Sequence, residues 1–110
     1  MNRVVLSAAF ILAAVASAQE ARLSGTVSDT SGAAVPSVNI SALQLDRRVT
    51  FQTQTGPEGR FLLPKLPIGT YQIKAEHQGF KTAIQDGIAL TTAADVLLNL
   101  TLGGGASRSR

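Results

Sequence analysis

The stretch Thr55–Phe80, TGPEGRFLLPKLPIGTYQIKAEHQGF, constrains the fold more than any other part of the chain. It alternates turn chemistry with strand chemistry at intervals too short for helices. Gly56-Pro57-Glu58-Gly59 is a four-residue turn: proline presets φ at its first corner, and Gly59 takes the position where a type I turn accepts glycine. Phe61 and Leu63 then alternate with Arg60 and Leu62. Pro67-Ile68-Gly69 turns the chain again. Tyr71, Ile73 and Ala75 next alternate with Gln72, Lys74 and Glu76, which predicts a strand with one dry and one wet face. Gly79-Phe80 opens a further strand.

The same period of two runs through the rest of the chain. It predicts strands over 21–28, about 38–42, 49–54, 60–63, 70–77 and 96–102. Another starts at Phe80, reaches Gln85, and resumes to Leu90 after a break at Asp86-Gly87. Between them lie turn formers: Asp29-Thr30-Ser31-Gly32, Pro36, and a turn near Asp46-Arg47. Outside the first eighteen residues no window carries an apolar stripe at helical spacing. Seven short strands divided by Gly, Pro, Asn and Asp predict two sheets that bury each other's apolar faces.

Residues 1–18 predict a cleaved secretory leader. Arg3 supplies a positive start, Val4–Val15 is apolar apart from Ser7, and Ala16-Ser17-Ala18 is an A-x-A cleavage pattern. Val4–Ala18 is short of the roughly 20 apolar residues a membrane span needs, so no transmembrane segment is expected once it is removed. The chain is then organised as a leader (1–18), one domain (19–102) and a flexible Gly/Ser/Arg tail (103–110). The expected destination is the periplasm, the outer membrane or the extracellular side.

Charge argues against nucleic acid as a partner. Between Gln19 and Leu102 seven cations face seven anions; the excess positive charge sits in Arg3, Arg108 and Arg110. A nucleic-acid binder needs a clustered basic face, and Asp46-Arg47-Arg48 alone comes near one. With no cysteine and a single histidine, His77, neither thiol chemistry nor a Cys/His metal site is expected, and no cofactor is assigned. The acids Asp29, Asp46, Glu58, Glu76, Asp86 and Asp95 are scattered singly, mostly in turns, where paired acid–base chemistry needs convergence. Asp29 is expected to bond its own loop backbone. Phe51, Phe61, Tyr71 and Phe80 occupy inward positions, and the Tyr71 hydroxyl is expected to reach backbone near the Pro67–Gly69 turn. No enzyme is expected.

These segments, taken in order, resemble a family. G-x-V-x-D at Gly25–Asp29, G-x-x-V-P at Gly32–Pro36 leading to Ile40, G-x-F at Gly59–Phe61, P-x-G-T-Y-x-I-x-A at Pro67–Ala75 and Gly79-Phe80 are similar to the carboxypeptidase regulatory-like domain. The resemblance covers about residues 21–102. It implies an all-β, seven-stranded antiparallel Greek-key β-sandwich of the transthyretin-like, carbohydrate-binding-like kind. The family often has Asp or Asn where this chain has Gly56, so no side chain is available there to close the turn. Such domains stand at the N-terminus of bacterial TonB-dependent receptor-like outer-membrane proteins. The resemblance therefore implies an exported interaction or structural module with a protein partner in the cell envelope, or alternatively a glycan. The candidate contact residues are Asp46, Arg47 and Arg48, and the turn Gly56, Pro57, Glu58 and Gly59.

Overall fold

The structure is a computed structural model that describes residues 20–104. The predicted leader, and the tail beyond Gly104, lie outside the described residues. The chain forms seven strands: β1 (Glu20–Asp29), β2 (Asn39–Gln44), β3 (Val49–Gln54), β4 (Arg60–Pro67), β5 (Gly69–Glu76), β6 (Ala83–Leu90) and β7 (Asp95–Leu102). They build a three-stranded sheet in the order β4-β1-β7 and a four-stranded sheet in the order β3-β2-β5-β6. This is the all-β sandwich expected from the alternating pattern, and β3 has the predicted bounds.

The alternation delivers the core directly. Leu23, Val27, Phe61, Leu63, Leu100 and Leu102 from the first sheet bury against Ile40, Ala42, Tyr71, Ile73, Ala75 and Leu90 from the second. Fully burying each large aliphatic or aromatic side chain stabilises by about 1.5–3 kcal/mol. By contrast, the two ion pairs among the described residues, Arg22–Asp95 at 4.0 Å and Arg60–Glu58 at 3.6 Å, are both solvent-exposed, and such pairs contribute at most about 1 kcal/mol. Packing between the sheets therefore decides stability.

Tyr71 is fully buried, and its hydroxyl donates to the Pro67 carbonyl at 2.6 Å, as expected. Burial pushes its phenol pKa up. Thr55 is a second buried polar tie. Its Oγ1 accepts the Val38 N–H at 2.8 Å and donates to the Val35 carbonyl at 2.9 Å. Together with the Ser37 N–H on the Thr55 carbonyl and the Thr55 N–H on the Val38 carbonyl, both at 3.0 Å, it pins residues 35–38 to the end of β3.

Three features differ from the sequence expectation. Strand β4 does not stop at Leu63 but continues to Pro67. Its pairing with β1 slips by one residue between Leu63 and Leu66, a bulge that shifts the buried series from Phe61 and Leu63 to Leu66. Pro64 has no N–H for a ladder, so a bulge on an edge strand is where it fits. Strand β6 starts at Ala83 and not at Phe80. The chain there is still turning, with the Phe80 N–H bonded to the His77 carbonyl at 3.1 Å. Asp86-Gly87 is a bulge inside a continuous β6, where the pairing with β5 slips by one residue.

The third difference is direction. Strand β7 runs parallel to β1, from Arg22 opposite Asp95 to Asp29 opposite Leu102, while every other pairing is antiparallel. The cause is the short connection after β6. Residues 91–94 cross from one sheet to the other at the end where β1 begins. They are held there by Arg22 N–H to the Ala94 carbonyl at 2.8 Å and Ala93 N–H to the Glu20 carbonyl at 2.9 Å. A strand launched from that point must run alongside β1 in the same sense. The two backbones meet so closely at Gly25 that a β-carbon there would lie 1.6 Å from the Leu98 carbonyl oxygen. Glycine is what permits the approach.

Two substitutions check this account. Thr55→Val keeps the volume but strands a buried N–H and a buried carbonyl, each worth about 1–3 kcal/mol. It is expected to lower unfolding free energy by about 2–5 kcal/mol in denaturant titrations, whereas Thr55→Ser costs less than about 1 kcal/mol. Gly25→Ala forces β1 and β7 apart. It is expected to cost about 4 kcal/mol or more, with amide exchange accelerated most in β7.

Candidate functional site

The sequence-predicted contact residues fall into two groups that the fold separates. Asp46, Arg47 and Arg48 form the exposed turn between β2 and β3, closed by the Arg48 N–H on the Gln44 carbonyl at 2.8 Å. Arg48 takes a left-handed φ of 59°, and Asp46, Arg47 and Arg48 are all exposed. Gly56–Gly59 lies at the other end of β3, about 20 Å away at some 3.3 Å per strand residue. The two turns therefore do not converge on one ligand.

Within the second turn the roles also divide. The Gly59 N–H bonds the Gly56 carbonyl at 2.9 Å, so backbone alone closes the turn without an Asp or Asn at position 56. Gly59 is buried with a φ of 75°, its carbonyl accepts the Val27 N–H at 2.7 Å, and a β-carbon there would lie 2.7 Å from the Val27 carbonyl oxygen. It is a docking point for β1. Pro57 and Glu58 remain exposed, with Glu58 beside Arg60.

Several other polar side chains serve the fold locally. Asp29 Oδ1 accepts from the Ser31 hydroxyl at 2.6 Å and from the Ser31 and Ala33 amides at 2.8 and 3.1 Å. These donors, the Ser31 hydroxyl first, hold its carboxyl below the usual range. His77 packs edge-on to Phe80 at 5.7 Å, with Nδ1 2.8 Å from the Gln78 carbonyl. A carbonyl can only accept, so that nitrogen carries the proton. Phe61 and Tyr71 are buried, and Phe51 and Phe80 are half-buried against the core, so the rings are packing groups. Among the described residues no three His, Cys, Asp or Glu side chains gather to hold a metal ion, and no helix is long and apolar enough to cross a membrane.

One surface was not foreseen. The outer face of the four-stranded sheet carries a trough of about 220 Å³. The half-buried Ser41 and Leu43 of β2 form its floor, Thr50 and Gln52 of β3 one wall, and Gln72 and Lys74 of β5 the other. Beside it Gln72 donates to Asp86 and Gln54 donates to Asn39, both at 2.8 Å. Ser41, Thr50, Gln52, Gln72 and Lys74 fall at polar positions of the alternation, whereas Leu43 lies beyond the strand predicted over about 38–42, and only the order β3-β2-β5-β6 brings them together.

The family model of the carboxypeptidase regulatory-like domain matches residues 22–103. No curated protein matches the chain. Among solved structures, the Bacillus anthracis TIE protein superposes with a TM-score of 0.65 at 17% identity, over 78% of this chain and 17% of that one. A candidate carbohydrate-binding protein from Bacteroides uniformis gives 0.61 at 15% identity, over 74% and 40%. The 3-chlorocatechol 1,2-dioxygenase of Rhodococcus opacus gives 0.61 at 12% identity, over 80% and 61%. The chain thus spans less than two thirds of each of these proteins, and at such identities the likeness is one of fold.

Asp29 provides a pH test. Its folded-state pKa is depressed, so its contribution to stability is present above the ordinary carboxylate pKa and is lost as pH falls through the folded value. Asp29→Ala is therefore expected to melt below wild type at neutral pH. The gap should close progressively on acidification below the usual carboxylate range, as read by thermal unfolding across pH.

Proposed function

Because the chain belongs to the carboxypeptidase regulatory-like domain family, we propose that it acts as a non-enzymatic interaction module of the bacterial cell envelope, exported by its leader. In this reading it is the N-terminal portion of a TonB-dependent receptor-like outer-membrane protein, or a free-standing relative of that portion. The family is of a regulatory and binding type, and the Arg3-led apolar segment ending in Ala16-Ser17-Ala18 supports export.

The observation that carries the reading is the Asp46-Arg47-Arg48 turn. Among the described residues the ion pairs use Arg22 and Arg60, and neither Arg47 nor Arg48 has a side-chain partner. Two unspent guanidinium groups on a backbone-closed turn suit an acidic protein surface, since arginine forks pair bidentately with carboxylates. Folded chain used as bait in bacterial envelope extract is expected to retrieve a protein partner. Arg47→Ala with Arg48→Ala should cut recovery by about tenfold, as the loss of central charged contacts does elsewhere. A well-folded bait that retrieves nothing, or a double variant that retrieves as much as wild type, would overturn it.

The trough on the four-stranded sheet favours a second reading, glycan binding. Amides and hydroxyls both donate and accept, which matches the hydroxyl arrays of sugars, and the Bacteroides uniformis neighbour shares the fold. Titration with soluble glycans, followed by amide NMR shifts at Ser41, Gln52, Gln72 and Lys74, separates the two readings.

A further inference from the structure

The four sheet edges are not guarded equally. An open edge is a row of unpaired N–H and C=O groups that invites another strand, and proteins blunt it with proline, bulges, charge or shortness. β4 carries Pro64, Lys65, Pro67 and a bulge. β6 is bent by the Asp86–Gly87 bulge, with an acid at its crest. β3 is six residues long and begins after two arginines. β7 has the least guard, the single charge of Asp95 at its start. It is eight residues long, pairs with β1 without a register slip, and has no proline, no glycine and no charge after Asp95.

The backbone direction along β7 can be assigned. The Ala94 carbonyl bonds β1 and the Leu98 carbonyl lies against Gly25, so the even-numbered residues turn their amide and carbonyl groups toward β1. Successive residues alternate, so Asp95, Leu97, Asn99 and Thr101 turn theirs toward the open edge. Gly103, next in that series, already uses its outward carbonyl, which accepts the Lys81 N–H at 3.0 Å. Among the described residues nothing occupies the equivalent place beside 95–101. The side chains agree. Leu97 is 68% exposed, the most of any large apolar residue described. Val96 and Leu98 are only half-buried, although both point into the sandwich.

We propose that a second copy of this chain pairs there, β7 antiparallel to β7, joining two three-stranded sheets into one six-stranded sheet ordered β4-β1-β7-β7-β1-β4. An antiparallel edge is self-complementary across a two-fold axis, so one surface supplies both halves of the interface. With the axis at Leu98, Leu97 faces Asn99 of the partner subunit on the outer side and Val96 faces Leu100 of the partner subunit on the core side. Asp95 faces Thr101 of the partner subunit, and no like charges meet. The stretch 95–101 is used in full and ends just before Gly103, where Lys81 takes over. The pairing covers Leu97 and shields Val96 and Leu98, and it stands apart from the envelope reading because it needs no second protein.

The test is sedimentation and light scattering of the full chain from low to high micromolar concentration, with amide hydrogen exchange. Wild type is expected to reach twice its monomer mass, with the Leu97 and Thr101 amides protected. Asn99→Pro removes an amide that faces the open edge and leaves the backbone ladder to β1 intact, at the cost of the exposed bond that the Thr26 hydroxyl donates to Asn99 Oδ1 at 2.9 Å, so it should block pairing without unfolding the strand. Leu97→Lys alters a solvent-exposed side chain, and it is the second variant should proline disturb the strand. Each is expected to weaken dimerisation by more than about tenfold, with an unchanged circular dichroism spectrum, while Ile84→Lys on the β6 edge changes nothing. A wild type that stays monomeric overturns the proposal. So do protected edge amides in a monomer, or two well-folded variants that dimerise as wild type does.

Discussion

The contact between β1 and β7 at Gly25 is the constraint on which the sandwich depends. Strand β1 is the middle of its sheet, and β7 contributes Leu100 and Leu102 to the core only because its backbone can lie flush against it. Without that approach the three-stranded layer would shrink to the β1–β4 pair, and Ile40, Ile73 and Leu90 would lose part of their opposing layer. Two-stranded ribbons are marginal in water, so the second sheet depends on a contact made entirely within the first. The short crossing at 91–94, tied twice to the head of β1, sets the direction of β7.

Much of this architecture is written in the chain at short range. The alternation at Tyr71, Ile73 and Ala75 predicts a strand and its buried face, and Val49–Gln54 even keeps its bounds, because both follow from side-chain spacing alone. The tie from Tyr71 to Pro67 is equally local, four residues apart. What could not be read is whatever depends on a distant partner. The bulges at Pro64–Lys65 and Asp86–Gly87 exist only relative to β1 and β5, and the parallel sense of β7 is decided by which end of β1 lies nearby. The same holds for the surface. Asp46-Arg47-Arg48 was legible as a charged turn, but its separation from Gly56–Gly59 follows from the length of β3 between them. The trough needs the strand order, and the bare edge of β7 needs the knowledge that no described strand follows it.

The polar groups sort by reach. Asp29, Thr55, Gln44 and Tyr71 all bond backbone close at hand and stiffen loops that packing alone would leave free. The surface features that stand apart from these are two arginines on a turn, a row of amides on one sheet face and, among the described residues, unpaired backbone along one strand. These are contact surfaces of different kinds, well separated on a small scaffold, which is how a module can hold one neighbour without hindering another.

The uneven guarding of the edges also sets a valence. A monomer with two bare margins could link at both and grow into a ribbon of unlimited length, whereas one with a single bare margin is consumed by its first union. The proline, the kinks and the flanking charge on the other three strands thus act as chain terminators in the polymer chemist's sense, and they would keep any association of this sandwich finite and soluble.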